Sequence, residues 1–227
     1  IMYNFFTVTI LRFVPIYFVI SCLVAAYFYP GGNLLDPQQV GYSFNHNFLS
    51  DLGGYTSRSG EINFLSQFFF NLSMFLFVAV GIGFLFVPML FKDNKINFYS
   101  AIIGSFFFFI GTVFFAGVGL TPHDLYRSEH IFFAINAFRI LMPAGLIYVF
   151  VFFRSSVPNF YAYLTLAFFI FTTSYVLYQL FGGSPFDSID ALKQHVTIQK
   201  FIAFASTINI FVLSFGFKTR IKYLSIA

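Results

Sequence analysis

The chain of 227 residues has no tryptophan and a single cysteine, and only 9% of it is charged. One cysteine, Cys22 in an apolar run, excludes an internal disulfide and any cysteine-based metal site. The shortage of charge excludes more. A soluble domain carries about 25% charged residues, and this chain lacks the polar surface to cover a water-soluble globule. Disorder is excluded too, because disordered chains are poor in apolar residues and hydrophobic residues make up 59% here. Also absent are a phosphate-binding glycine loop, a c-type haem motif, a His-Glu-x-x-His pair and a Gly-x-Ser-x-Gly setting around any serine. What the chain has instead is long uncharged stretches, with a mean hydropathy of +0.82. Phenylalanine occurs 40 times, a bias in keeping with an AT-rich coding sequence. The expected class is an all-α polytopic membrane protein, a single domain over residues 1–227 built as a bundle of six transmembrane helices.

A spanning helix needs about 20 mostly apolar residues, because the hydrocarbon core is about 30 Å thick and a helix rises about 1.5 Å per residue. Stretches near Phe13–Tyr29, Asn63–Phe91, Asn97–Leu120, His130–Phe153, Phe160–Phe181 and Val196–Phe217 qualify. Turn formers separate them: Pro30-Gly31-Gly32, Lys92 to Lys95, Thr121-Pro122, Arg154 to Asn159, and Gly182 to Pro185. The first stretch is longer than a signal-peptide core and lacks a small-residue cleavage site, so it reads as a retained span. Lysine and arginine then set the orientation. Arg12, Lys92, Lys95, Arg154, Lys218, Arg220 and Lys222 fall on the side of both termini, with Asp93 as the one acid. Arg58, Arg127 and Lys193 fall on the other side, together with Asp36, Asp51, Glu61, Asp124, Glu129, Asp187 and Asp190. The positive-inside rule places both termini in the cytoplasm. His46, His123, His130 and His195 then all lie at the outer boundary.

Two outer loops attract attention. The first, Pro30 to Ile62, is long for a helix connection. Its Asn45-to-Gly54 part mixes apolar anchors with short polar groups, which suits folding back onto the bundle as well as a plain surface loop of turn formers. The third, Thr121 to His130, holds two histidines, two carboxylates and one arginine in ten residues. Histidine beside carboxylate suits metal ligation or proton transfer, while Ser128 and Glu129 equally suit capping of the helix that follows.

Polar residues inside spans are expensive and so informative. Asn63, Gln67 and Asn71 share one face of the second span. Asn136 and Arg139 lie in the fourth, and His195, Gln199, Lys200 and Asn209 in the sixth. A polar lining directed into the bundle explains all three sets; hydrogen bonding between helices is the alternative for the amides. Arg139 lies about 14 Å in from His130, close to mid-bilayer, with no acid at that depth in the chain. Gly81, Gly83, Gly104, Gly111, Gly117 and Gly119 read as close-packing positions.

Leu49-Ser50-Asp51-Leu52-Gly53, followed by Phe70-Asn71-Leu72-Ser73 before a glycine-containing span, resembles the prokaryotic small membrane proteins catalogued as domain of unknown function 998. Gly119-Leu120-Thr121-Pro122-His123-Asp124 with His130, and Gln199-Lys200 in the last span, are similar to elements of that family. The resemblance implies the six-span topology and marks Ser50, Asp51, Asn71, Asp124 and His130 as site residues. The family has no established activity, so no reaction is implied. A weaker likeness is to Frag1/DRAM-type six-span proteins, which share a Ser-Asp-x-Gly element before the second span.

Three functional expectations follow. The first is an integral membrane protein, in a bacterial plasma membrane, that binds a membrane lipid head group or small ion at its outer face or serves as an accessory subunit beside other membrane subunits. Ser50, Asn71, Arg139, Gln199 and Lys200 are its candidate ligand-binding residues. The second is a membrane-embedded hydrolase or lipid-modifying enzyme. Asp51, Asp124 and His130 would be its catalytic groups, and His123, His130 and His195 its ligands for a divalent metal. The third is a small-solute transporter, although no inverted repeat or broken helix pair is visible. Nucleic acid is not an expected partner.

Overall fold

The computed structural model describes residues 2–226, with side chains through residue 224. It contains six helices long and apolar enough to cross a membrane: α1 (Met2–Phe28), α2 (Phe64–Phe91), α3 (Lys95–Leu120), α4 (Arg127–Phe153), α5 (Asn159–Phe181) and α6 (Ile189–Ile226). Among the described residues there are no strands beyond two isolated bridges, Gly31 with Val40 and Thr56 with Ile62. An all-α bundle of six apolar helices makes this an integral membrane protein.

The apolar stretches locate the helices, but the helices outrun them. α1 begins eleven residues before Phe13, and a π-helical segment, Phe5–Thr9, lies within it. Arg12, counted above as a flanking charge, is therefore inside α1. Its Nε donates to the Ser214 hydroxyl of α6 at 2.9 Å, and its guanidinium lies over the Phe215 ring. α6 has 38 residues and is about 57 Å long, so both of its ends project beyond the hydrocarbon core. Helix ends outside lipid need no apolar residues, and hydropathy does not report them.

Consecutive helices pack as antiparallel neighbours, and α6 closes the ring by packing against both α5 and α1. Loops 29–63, 121–126 and 182–188 gather on one face, called here the long-loop face. The short connections 92–94 and 154–158 lie on the other, with the start of α1 and the end of α6. Interior bulk is largely aromatic. Phe84 stacks on Phe108 at 3.7 Å between centroids and meets Tyr148 and Phe217 edge-on. Glycines permit the close helix approaches the sequence suggests: a Cβ on Gly81 would lie 2.0 Å from Thr112 Oγ1, and one on Gly111 2.8 Å from the Leu141 side chain.

One arginine ties the short-loop face together. Arg220, 2% exposed near the end of α6, donates from Nε to the Leu90 carbonyl at 2.8 Å and from Nη1 to the Ser156 hydroxyl, and pairs with Asp93 at 2.5 Å. Its guanidinium also faces the Phe91 and Tyr223 rings. Both short connections are thus bonded to the last helix.

The long first loop folds back onto the bundle. Amide side chains organise it: Asn33 Nδ2 donates to Gln39 Oε1, Gln39 Nε2 to Asn47 Oδ1, and Asn47 Nδ2 to the Gly32 carbonyl, each at 2.7 Å. Gly32 has a φ of +77°, and a Cβ there would lie 2.3 Å from the Arg58 backbone, so this crossing of loop segments needs glycine. The loop then drives a short 3₁₀ turn, Leu49–Gly53, into the helix ring, where Leu52 is 0% exposed.

Candidate functional site

The inserted turn presents the Leu52 and Gly53 carbonyls and the Leu49 N–H to an apolar interior, where unmatched polar groups are costly. Helix side chains satisfy them. Asn63 Nδ2 and Ser66 Oγ of the α2 entry donate to the Leu52 carbonyl at 3.1 and 3.0 Å. Asn71 Nδ2 donates to the Gly53 carbonyl at 3.2 Å, Gln199 Oε1 accepts from Leu49 N at 2.8 Å, and Lys200 Nζ donates to the Asn47 carbonyl. Lys200 is 1% exposed, its ammonium between the Tyr42 and Phe44 rings. Asn71 and Lys200, expected as ligand-binding residues, thus each donate to the chain's own first loop, while Asn71 Oδ1 is buried without a hydrogen-bond partner and Lys200 also borders the groove between α5 and α6. Gln199 holds the turn and also faces the cavities described below.

Asp51 is the polar centre of the inserted turn. It is 1% exposed, and both carboxylate oxygens are engaged. Oδ1 accepts from Arg58 Nε at 3.0 Å and pairs with Nη2 at 2.9 Å. Oδ2 accepts from Phe48 N at 2.9 Å and Asn47 Nδ2 at 3.2 Å. His123 Nε2 stands 3.8 Å from Oδ1. Burial, with Arg58 close by, pushes the His123 ring down to about 4, so it is neutral at pH 7. Asp124 clamps the loop from the other side, accepting from Tyr55 N, Thr56 N and the Thr56 hydroxyl at 2.7 to 2.9 Å. Burial works to raise its carboxyl, but the bonds from Thr56 and Tyr55 outweigh it and keep the group below its ordinary range. Of these two catalytic candidates, Asp51 is enclosed by loop donors on both oxygens, whereas Asp124 holds the loop and also lines the cavity described below.

Beside the turn, a cavity of about 710 Å³ opens at the long-loop face. His123, His130 and His195 all line it, with Ser50, Arg58, Arg127, Tyr178 and Gln199. The histidines share the cavity without converging. His123 and His130 have ring centroids 6.0 Å apart, whereas His195 packs on Tyr178 at 4.7 Å. Among the described residues no three His, Cys, Asp or Glu side chains form a group able to hold a metal ion, which corrects the expected His123–His130–His195 ligand set. His130 Nδ1 lies 2.7 Å from the Thr121 carbonyl. A carbonyl only accepts, so Nδ1 carries the proton and Nε2 is a free acceptor. His130 Nε2, His195 Nε2 and the Tyr178 hydroxyl are buried with no hydrogen-bond partner among the described residues.

The cavity does not end in a polar floor. Ser50, Ala134, Tyr175 and Gln199 also line a deeper apolar chamber of about 80 Å³, to which every helix contributes, through Phe18, Phe70, Phe108, Phe138, Phe168 and Ala203. Phe168 and Asn209 in turn border an apolar groove of about 500 Å³ between α5 and α6. Arg139, expected in an inward polar lining, is half-buried and lines none of these three spaces. Sequence reasoning passed over Arg58 and Asn47; a carboxylate set between Leu49 and Leu52 was the available signal that a cation must be near. No protein-family model matches this chain, and neither does any curated protein or solved structure.

Proposed function

We propose that the protein binds the head group of a membrane phospholipid in the long-loop cavity, with that face outside a bacterial plasma membrane and both termini in the cytoplasm. The orientation rests on charge: Lys92, Lys95, Arg154, Lys218, Arg220 and Lys222 mark the short-loop face even without Arg12, and seven of the eight acids lie opposite. The observation that carries the ligand reading is a set of three adjoining spaces of changing polarity that share lining residues. A roomy cavity with cations and unpartnered acceptors adjoins, at Ser50 and Gln199, an apolar chamber that borders a groove open along the bundle's side. Such a sequence of environments matches a molecule with a polar head and an acyl tail. Arg58 already serves Asp51, so Arg127 is the guanidinium free for phosphate. His130 Nε2 and His195 Nε2 suit hydroxyl or ammonium donors on the same head group.

The test is native mass spectrometry of purified protein titrated with short-chain phosphatidylglycerol and phosphatidylethanolamine. One bound phospholipid is expected, weakened about tenfold by Arg127→Ala and abolished by Ser50→Trp, which fills the junction. Equal retention by the parent protein and both variants refutes the reading.

A further inference from the structure

Arg139 stands twelve residues from Arg127 and fourteen from Phe153, the two ends of α4. At about 1.5 Å per residue it is about 18 and 21 Å from those ends, within a few Å of the centre of a hydrocarbon layer about 30 Å thick. An extended arginine side chain covers less than half the distance to either head-group layer. The direction matters as much as the depth. Phe132 and Leu146, seven residues to either side, are 56% and 53% exposed, and Phe150 is 44% exposed. Seven residues are close to two turns, so Arg139, itself half-buried, lies between Phe132 and Leu146 along the α4 stripe that borders the outside of the bundle. Among the described residues it makes no ion pair, hydrogen bond or ring contact. Asn136, one turn along the same stripe, is bonded only to its own helix, through Nδ2 to the Phe132 carbonyl at 2.8 Å.

A lone cation at mid-membrane is costly and nearly always paired. We infer that the Arg139 stripe of α4 is an intramembrane docking surface for a spanning helix of another protein, one that carries an aspartate or glutamate at mid-span. Apart from Asn136, whose Nδ2 is bonded within its own helix, the stripe residues Phe132, Leu146 and Phe150 are apolar and suit helix packing. A second copy of this chain cannot supply the counter-charge. Of its eight acids, Asp36, Asp51, Glu61, Asp124, Glu129, Asp187 and Asp190 sit at the long-loop boundary and Asp93 at the other, with none between. Lipid phosphates lie in the head-group layers, beyond the reach of the side chain. The inference is independent of the phospholipid reading, since Arg139 lies outside the cavity and its adjoining spaces.

The experiment uses full-length protein in phosphatidylcholine vesicles, with two fluorescent leucine-rich spanning peptides that differ only in a central Asp or Leu. Energy transfer should show the Asp peptide associating about tenfold more strongly. Arg139→Leu should remove that preference, and Arg139→Lys should keep most of it. Without a peptide, Arg139→Leu should raise the thermal midpoint, because an unpaired charge has left the lipid-facing surface. Equal association of the two peptides, or a preference that survives Arg139→Leu, overturns the inference. So does a lower midpoint for Arg139→Leu alone, which would assign the arginine a role within its own fold. Loss of the Asp preference on adding phosphatidylglycerol would assign the site to an anionic lipid instead.

Discussion

Replacing Asp51 by asparagine should unlatch the inserted turn while leaving the helix ring intact. The carboxylate takes four donors, two on each oxygen: Arg58 Nε and Nη2 on Oδ1, Phe48 N and Asn47 Nδ2 on Oδ2. Asparagine has one acceptor oxygen, so in either orientation its amide nitrogen confronts two donors, and the Arg58 guanidinium loses its counter-charge. Breaking a buried pair by removing one partner costs about 3 to 5 kcal/mol. The Arg58 side chain is 29% exposed and retains some water, which points to the low end, about 3 kcal/mol. That corresponds to about a 100-fold increase in local opening. Amide hydrogen exchange over residues 47–56 should accelerate by about that factor, with the α3 and α4 amides little changed. The burial asymmetry adds a ranking. Arg58→Leu should cost more than Asp51→Asn, because the charge it strands is 1% exposed. Unchanged exchange over 47–56 in Asp51→Asn, or the reverse ranking, would refute the view of this pair as the latch.

Three further outcomes follow from the same contacts. Arg220→Met should lower stability by about 2 to 4 kcal/mol, read as a fall of about 6 to 12 °C in the unfolding midpoint; Asp93→Asn should cost a comparable amount, since the guanidinium it strands is 1% exposed, and a negligible loss would mean that the bonds to Leu90 and Ser156 rather than the ion pair hold the staple. His123 is held neutral down to about 4 in the fold, whereas an unfolded histidine takes up its proton near pH 6.5. Its contribution is therefore complete above pH 6.5 and is lost as pH falls towards 4, by at most about 3 kcal/mol, and pH-dependent denaturation of His123→Asn should be flatter over that window. Gly81→Val should destabilise by about 1 to 3 kcal/mol in thermal melts, because the new side chain must displace Thr112 from the α2–α3 contact; a neutral result would show that the two helices separate easily there.

Class and span count were legible from hydropathy and turn residues because lipid imposes one rule, that each crossing satisfies its own backbone within an apolar helix. Helix lengths were not, since the ends of α1 and α6 lie where that rule no longer applies. Close packing at Gly81 and Gly111 was legible for a similar reason: without a Cβ, a helix has little to offer but proximity. Leu49–Gly53 and Phe70-Asn71, separated in the sequence, meet in space, for a Cβ on Gly53 would lie 2.5 Å from Asn71 Oδ1 and 2.7 Å from Phe70.

Linear order marked Asn71, Gln199 and Lys200 as polar groups too costly to be idle within spans, and placed Asp51 in an outer loop; it was silent on what they touch. Only the tertiary structure decided that the first loop enters the helix ring and becomes the partner of those side chains, because the donors that meet its carbonyls come from α2 and α6, far along the chain. It likewise decided that His123, His130 and His195 border one cavity without forming a ligand set, and that Arg139 does not line it. Residue type states that a polar group in lipid needs a partner; which partner it finds depends on helix rotation and loop path, and these are set by packing across the whole bundle.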